Sequence, residues 1–401
     1  MVGVDAVEDW GATGLAYLTG APTGPADFSR AAVLGHARLA AESYRSATGV
    51  DVDAAAATLL AGRAGLLGLT RGGRASAGGA SRLFAARDGW YALTLSRPDD
   101  VDAVPALVES VGPPADPWQA VQSWAAGRSA AEVAERARLL GLPTAVLGET
   151  RAAPVIERQV GDRAAPRGPS GLLVVDMSSM WAGPLCGQLL ARAGAIVVKV
   201  ESRARPDGTR SGSPAFFDWM NSGKLSYSVD FDQPHGLRAL LAVADVVLES
   251  SRPAALRQRG LGAADVAATP GRVWLRITGH GAGGAQGSWV AFGDDAAVAG
   301  GLVGTDGRGP VFCVDAIADP LTGLHAALSV TESLARGGGE VLDVAMAGIA
   351  ATYAHLPTAP SDGGRPALPP RPPPPSPPAA ALGEHNVRVE RLIHEKGLTP
   401  C

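Results

Sequence analysis

The sequence predicts an α/β protein built on a Rossmann-like, doubly wound parallel sheet, with a second, smaller α+β domain. Three observations carry that prediction. First, Leu172-Leu173-Val174-Val175-Asp176 is a continuous apolar strand, Ala182-Gly183-Pro184 turns into an apolar helical run over residues 185–193, and Ala195-Ile196-Val197-Val198-Lys199-Val200-Glu201 is a second strand. Strand, turn, helix and strand within about thirty residues make a βαβ unit with a right-handed crossover. Second, the alternation continues with a helix over 234–243, a strand over 244–249, a short helix before Gly260 and strands over 273–277 and 340–344. An open doubly wound sheet therefore covers most of residues 171–350. Third, Arg87-Asp88-Gly89 joins two alternating segments, 81–85 and 90–95, and Asp-Gly in that position signals a hairpin. Helices over 100–111 and 130–140, the second ended by Gly141 and Pro143, complete a small α+β domain at 71–150.

The flanking segments differ in kind. Residues 1–70 read as an alanine-rich helical segment, with helices over 31–46 and 52–67. Between it and the hairpin lies a glycine-rich loop containing Gly72, Gly73, Gly78 and Gly79, which by composition alone is a flexible linker. Residues 151–170 form a charged connector, and residues 351–380 a proline-rich linker ending in a polyproline run without a core of its own. That run suits a semi-rigid spacer, or a ligand for an SH3-like partner. A C-terminal segment at 381–401 carries a short amphipathic helix over 386–394.

Composition bounds the function. The chain has 401 residues, enough for two or three domains, and its 46% hydrophobic and 18% charged residues describe a globular protein. Thirty-five basic and 39 acidic residues, without long runs of either sign, argue against nucleic acid and against a membrane-binding patch. Cys186, Cys313 and Cys401 lie far apart without metal-ligand spacing, so no metal and a reduced, cytoplasmic setting are expected. His36, His235, His355 and His394 are scattered in helix or loop contexts and read as structural. The opening MVGVDAVEDWGATG has acids and no apolar core, so no signal peptide is expected, and no apolar span is long enough to cross a membrane.

A sheet of this type binds ligand outside the carboxyl ends of its strands. Glu201 stands where an acidic residue would hold an NAD ribose, yet the first turn, residues 176–184, lacks GxGxxG, so a dinucleotide is set aside. A second stretch stands out, VFCVDAIADPLTGLHAAL at 311–328. There Asp319-Pro320 precedes an apolar helical run, which predicts an aspartate capping the helix and a proline at its first position.

Taken in order, several motifs resemble the class III CoA-transferases, the CaiB/BaiF family. They are VVDMSSMWAGPLCGQLLARAGAIVVKVE, then RARPDGTR at 203–210, Asn221-Ser222-Gly223-Lys224, ADVVLE at 244–249, Arg252-Pro253 and Ile277-Thr278-Gly279. The resemblance runs from about residue 171 to 350 and implies that family's fold. It also implies that Asp319, in Asp319-Pro320-Leu321-Thr322-Gly323-Leu324-His325, is a nucleophile attacking an acyl-CoA thioester, with His325 packing or positioning. Gly72, Gly73, Gly78 and Gly79, followed by Gly89-Trp90, resemble the family's active-site lid and the start of its small domain. CoA, a substrate here and not a permanently bound cofactor, is implied to contact Trp181 and Ala182 in the first turn and Ser202 or Arg203 after the second strand. Val229 to Asp232 would face its adenine, and Ser250, Ser251 and Arg252 follow the third strand.

The chain also departs from the family. The small domain precedes the sheet here, whereas family members place it after, while Leu382-Gly383-Glu384-His385 still comes late, as in the family. Gly293-Asp294-Asp295 stands where racemases of the superfamily carry Gly-His-Asp, which favours CoA transfer over racemisation. The expectation is a CoA-transferase moving CoA from an acyl-CoA to a carboxylic acid, in an interlocked homodimer with crossing linkers near 150–170 and 350–380. An acyl-CoA racemase or epimerase, and a non-catalytic CoA-binding protein, are the alternatives.

Overall fold

The buried apolar strands assemble as their composition requires. In the computed structural model, which describes residues 3–52, 56–153, 155–360 and 365–397, a seven-stranded sheet forms the centre. Strands β1 (Ser81–Ala85), β2 (Trp90–Thr94) and β3 (Thr144–Val146) belong to the small domain. The large sheet holds β4 (Ile156–Gln159), β5 (Leu173–Met177), β6 (Ile196–Ser202), β7 (Leu225–Val229), β8 (Val246–Glu249) and β9 (Val273–Thr278). A short hairpin, β10 (Val303–Thr305) with β11 (Pro310–Phe312), precedes the last strand, β12 (Glu340–Ala345).

The order across the large sheet is β4-β12-β9-β8-β5-β6-β7, parallel throughout except for β4. From β5 the chain winds outward through β6 to β7, then returns to place β8 on the other side of β5. The order reverses between β5 and β8, and their carboxyl ends flank the crevice where such sheets take ligands. β4, in the segment read as a connector, is an edge strand with all four side chains exposed, so it lacks the apolar pattern that would announce it.

One layer beneath the sheet is the helix Ala318–Ala335, packed against the helix Ala182–Arg192 and covered by the helix Ala32–Thr48. Residues from Val7 to Ala64 share a hydrophobic cluster with β5, β8, β9, β12 and the Ala318–Ala335 helix, so the N-terminal helices are part of the layer that carries the sheet. The opposite face is covered by the helices His235–Ala242 and Asn386–Gly397 through Leu237, Leu240, Leu241 and Val389. The small domain has its own core around Tyr91, Leu107 and Val133, and meets the large one through Leu83, Ala92, Ala145, Val298 and Phe312. The helix expected over 100–111 is broken into Pro98–Asp102 and Val104–Val108, because Pro105 cannot continue the first piece.

The proline-rich segment is a correction to the spacer expectation. Residues 366–373 lie on the N-terminal helices along a track of glycines. The Leu368 amide donates to the Gly11 carbonyl at 2.9 Å, a Cβ on Gly14 would fall 2.4 Å from the Pro370 Cα, and one on Gly65 would fall 2.5 Å from the Arg371 carbonyl carbon. A polyproline strand has no ladder to offer, so it is held by close packing against backbone that carries no side chain. Beyond it, Ala379 donates to Asp218 at 2.8 Å, and Gly383, His385 and Asn386 bond to Ser226 and Ser228, closing the free edge of β7. Residues 361–364 and Cys401 lie outside the described residues.

The track makes a test. Gly65→Ala improves intrinsic helix propensity by about 1 kcal/mol but drives a methyl group into the strap, and overpacking of this kind costs about 1–3 kcal/mol. The expected outcome is a lower melting temperature with new proteolytic cleavage inside residues 365–380. An unchanged or raised melting temperature would show that the strap is not seated there.

Candidate active site

The turn after β5 is built from buried charge. Asp176, at the end of β5, accepts from the Ser178 amide at 3.0 Å and from Lys224 Nζ at 2.9 Å. Lys224 also donates to the Pro184 carbonyl at 2.8 Å, inside the first turn of the Ala182–Arg192 helix. Lys199 Nζ donates to the Ser178 carbonyl at 3.1 Å and to Asp207 at 2.8 Å. Asp207 accepts in turn from the Met180 amide at 3.2 Å, holding Met180 at a φ of 75° that a non-glycine residue rarely adopts. So the KVE, RPDG and Asn-Ser-Gly-Lys motifs act here as internal ion pairs. The turn they fix buries Trp181 edge-on against Phe216, with ring centres 5.4 Å apart, and aims the Ala182 amide at Asp319.

Asp319 stands in the first turn of the Ala318–Ala335 helix, but it does not cap it. The helix starts two residues earlier than the Asp-Pro signal predicts, after Ile317, itself in helical conformation, and its first turn has no side-chain cap. The chain enters through Val314 and Ala316 at φ values of 61° and 44°, which turns the Asp319 carboxylate out of its own helix toward the N-terminus of the Ala182 helix. Burial pushes the Asp319 carboxyl up to about 7. The Arg63 guanidinium and the Ala182 N–H oppose that rise, while Asp294 and Asp315 add to it. Desolvation thus outweighs the helix-end amide, which by itself favours the ionised form.

Asp319 borders a cavity of about 320 Å³ whose wall is shared by both domains and the N-terminal helices. Trp181, Phe216, Met180 and Phe292 supply rings and apolar surface, and Gly78 of the glycine-rich loop lines the mouth. A Cβ on Gly293 would meet the Asp319 carboxylate at 2.4 Å, so glycine there is what lets the next residue, Asp294, stand beside it. Asp294 accepts from the Ala316 amide at 2.9 Å and from the Ser81 hydroxyl at 3.3 Å. Burial lifts Asp294 to about 6 and Asp295, which accepts from Thr94 at 3.0 Å, to about 8. Arg63, from the helix Ala56–Leu67, reaches both oxygens of Asp315 at 2.7 Å and lies within 6 Å of the Trp181 and Phe216 rings.

Of the residues singled out from sequence, Asp319, Trp181 and Gly78 meet at this cavity, with the Ala182 amide directed to its carboxylate. Gly79 is exposed beside Gly78, whereas Gly72 and Gly73 anchor the loop, Gly73 accepting from the Phe312 amide at 2.9 Å. Ser202, Arg203, Val229, Asp232, Ser250, Ser251 and Arg252 are not brought to Asp319. They stand along the carboxyl ends of β6, β7 and β8, with Arg203 and Arg252 exposed, Ser250 accepting from the Ser179 amide at 3.2 Å, and Asp232 paired with Arg259 at 3.0 Å. His325 bonds the Tyr353 hydroxyl at 2.8 Å and is a packing residue. Arg63 and Asp294 escape sequence reading: Arg63 is one arginine in an alanine-rich helix, and Asp294 is noticed there only as the lack of a histidine. A larger cavity of about 670 Å³ lies on the other face of the sheet near Glu249 and Trp274, away from all of these residues. Among the described residues no cluster of histidine, cysteine or carboxylate side chains suits a metal, and no helix is long and apolar enough to cross a membrane.

Comparison with known proteins points to one family. Residues 170–367 match the model of CoA-transferase family III. That region, just under half of the chain, is similar to the class III CoA-transferases, the CaiB/BaiF family. It is 32% identical over 197 residues to succinyl-CoA–D-citramalate CoA-transferase of Chloroflexus aurantiacus, covering 45% of this chain and 49% of that protein. It is 29% identical over 203 residues to succinate–glutarate CoA-transferase of Agrobacterium fabrum, covering 44% and 50%. The crystal structure of a CaiB/BaiF family protein from Brucella suis aligns with a TM-score of 0.43 and 30% identity over 47% of this chain and 55% of that one. The chain spans about half the length of the curated relatives it matches.

The cluster of raised carboxyls sets the pH dependence of stability. Asp319 titrates near 7 when folded and near 4 when unfolded. Its contribution is therefore full below about pH 4 and lost as pH rises toward and through 7. Asp319→Asn removes that loss, so the variant should melt higher than the parent at pH 8, with the gap closing toward pH 4. Thermal unfolding across that range checks it, and a gap that widens toward low pH would contradict the assignment.

Proposed function

We propose that the chain is a CoA-transferase that carries CoA from an acyl-CoA thioester to a carboxylic acid through covalent chemistry at Asp319. One observation carries the reading: a half-buried carboxylate, faced by a helix-terminal amide and lying in the segment that matches the family, borders a largely apolar cavity. A carboxylate set back in such a cavity is a nucleophile held away from bulk water, which favours exchange of a mixed anhydride over its hydrolysis.

The steps balance without any other reactant. The Asp319 carboxylate attacks the thioester carbonyl, the C–S bond breaks, and the CoA thiolate leaves an acyl-aspartyl anhydride. The thiolate then attacks the Asp319 carbonyl carbon, forming an aspartyl-CoA thioester and releasing the donor acid as its carboxylate. An acceptor carboxylate attacks that thioester, and the thiolate expelled returns to the acceptor carbonyl, releasing the new acyl-CoA and restoring Asp319. The Ala182 N–H is placed to receive the negative charge that develops on the Asp319 oxygen when its carbonyl is attacked, and such a donor is worth about 100–1,000-fold in rate.

CoA acts as substrate, and no permanently bound cofactor is part of this reading. Its nucleotide portion is assigned to the rim formed by Ser202, Arg203, Val229, Asp232, Ser250, Ser251 and Arg252, where exposed guanidinium groups suit phosphates. Gly78 and Gly79 are assigned to the lid. The acids in the relatives' names, D-citramalate and glutarate, are carried over only as the class of carboxylic acids. A homodimer and a reducing, cytoplasmic setting complete the proposal. The buried free thiols of Cys186 and Cys313 support the second of these, and light scattering in solution tests the first, with a monomer as the contrary result.

Incubating the protein with an acyl-CoA and hydroxylamine should leave a hydroxamate on Asp319. Asp319→Ala should lower turnover by at least about 1,000-fold, and transfer at the parent rate would end the proposal. Exchange of the α-proton without a hydroxamate would point to a racemase, and acyl-CoA binding with neither to a non-catalytic binding protein. Because the carboxylate must be ionised to attack, turnover should rise with pH through about 7 and then level off.

A further inference from the structure

We infer that the acyl group exchanged at Asp319 is a short, uncharged hydrocarbon chain, and that the cavity excludes dicarboxylic acids. This rests on the reading of the Asp319 cavity as the acyl site. It follows from the balance of fixed charge around that cavity, which can be counted residue by residue.

Among the described residues that line the cavity, Arg63 is the one cation, against the carboxylates of Asp319 and Asp294. Arg63 is already committed: one of its terminal nitrogens bonds both oxygens of Asp315 at 2.7 Å, and the Asp315 side chain is 1% exposed. Three carboxylates therefore face one guanidinium. When Asp319 becomes acylated, one negative charge disappears, and the reacting carboxylate of the incoming acid takes its place. The exchange thus accommodates one substrate carboxylate at a time.

A second carboxylate at the far end of the acyl chain would be a further negative charge beside a single guanidinium that already serves Asp294, Asp315 and Asp319, and like charges gathered in one site oppose one another's ionised forms. Of the lining hydroxyls, Ser81 and Thr94 bond each other at 2.8 Å and are turned to Asp294 and Asp295, Thr209 donates to Asp207 at 2.7 Å, and Ser96 and Ser213 are neutral groups that supply no counter-charge. What remains is apolar, from Leu67, Met180, Trp181, Phe216 and Phe292. The volume of about 320 Å³ is at the low end of ligand pockets, about 300–1,000 Å³, and the end of the CoA arm must share it, so the chain is short.

Two stable thioethers of equal length test this without any chemistry at Asp319: S-butyl-CoA and S-(3-carboxypropyl)-CoA. Neither can acylate the aspartate, so their affinities report the cavity alone. S-butyl-CoA should bind the parent protein at least about 100-fold more tightly. Equal affinities, the reverse order, or no binding of either would overturn the inference. Asp315→Asn releases Arg63 and should narrow the ratio at least tenfold, provided the variant melts cooperatively. An unchanged ratio in that folded variant would also overturn it, and if the variant fails to fold the parent ratio decides. A preference for the butyl compound in a protein that forms no hydroxamate at Asp319 would uphold this inference while removing the nucleophile from the proposed function.

Discussion

The site depends on two lysine–aspartate pairs, Lys224–Asp176 and Lys199–Asp207, each with both side chains no more than 2% exposed. Removing one member of such a pair strands the other charge and costs about 3–5 kcal/mol, so the pairs are a constraint more than a source of stability. What they constrain is the turn of residues 178–182. Asp176 and Lys199 grip Ser178 from both sides, Asp207 holds the Met180 amide, and Lys224 binds the first turn of the helix that follows. Gly187 makes room for this, since a Cβ there would sit 2.8 Å from Asp176. The result is an amide, that of Ala182, held toward the one carboxylate through which the chemistry would pass.

On the other side of that carboxylate the molecule accepts an unfavourable arrangement. Asp294, Asp315 and Asp319 lie close to one another, Asp315 buried and the other two half-buried, and one arginine serves all three. Each carboxyl is pushed up by burial and further by its neighbours. A core selected for stability alone would not collect them, and perturbed groups of this kind gather where proteins do chemistry. The same crowding that makes ionised Asp319 costly makes it reactive once it is ionised.

How much of this was legible in the sequence depended on the kind of signal. The strands at 173–177, 196–202 and 273–278 could be read because they are buried on both faces and nearly continuous in valine, leucine and isoleucine. The hairpin could be read from Asp88-Gly89. β4 could not, because an exposed edge strand of Ile, Glu, Arg and Gln has no apolar period, and β7 was hidden by its alternation of serine with larger residues. Asp319 drew notice as a helix signal, and that reading misplaced the helix start by two residues because the strained approach through Val314 and Ala316 leaves no mark in composition. Arg63 was illegible for a different reason. Its partner Asp315 lies 252 residues away, and only the folded chain brings them together.

The strap across the glycine track has a consequence for the order in which the molecule is made. Gly62 and Gly65 flank Arg63, and both are covered by residues 371–373. As the ribosome synthesises the chain, the covering of the helix that bears Arg63 emerges some three hundred residues after the helix itself. The N-terminal helices must therefore wait, partly unpacked, through synthesis of both domains, and contacts so distant in sequence form slowly. During that interval the carboxylate cluster lacks its counter-charge in a settled position. Completion of the site is thereby tied to synthesis of residues 371–373, and a copy interrupted before them lacks a fully assembled cavity.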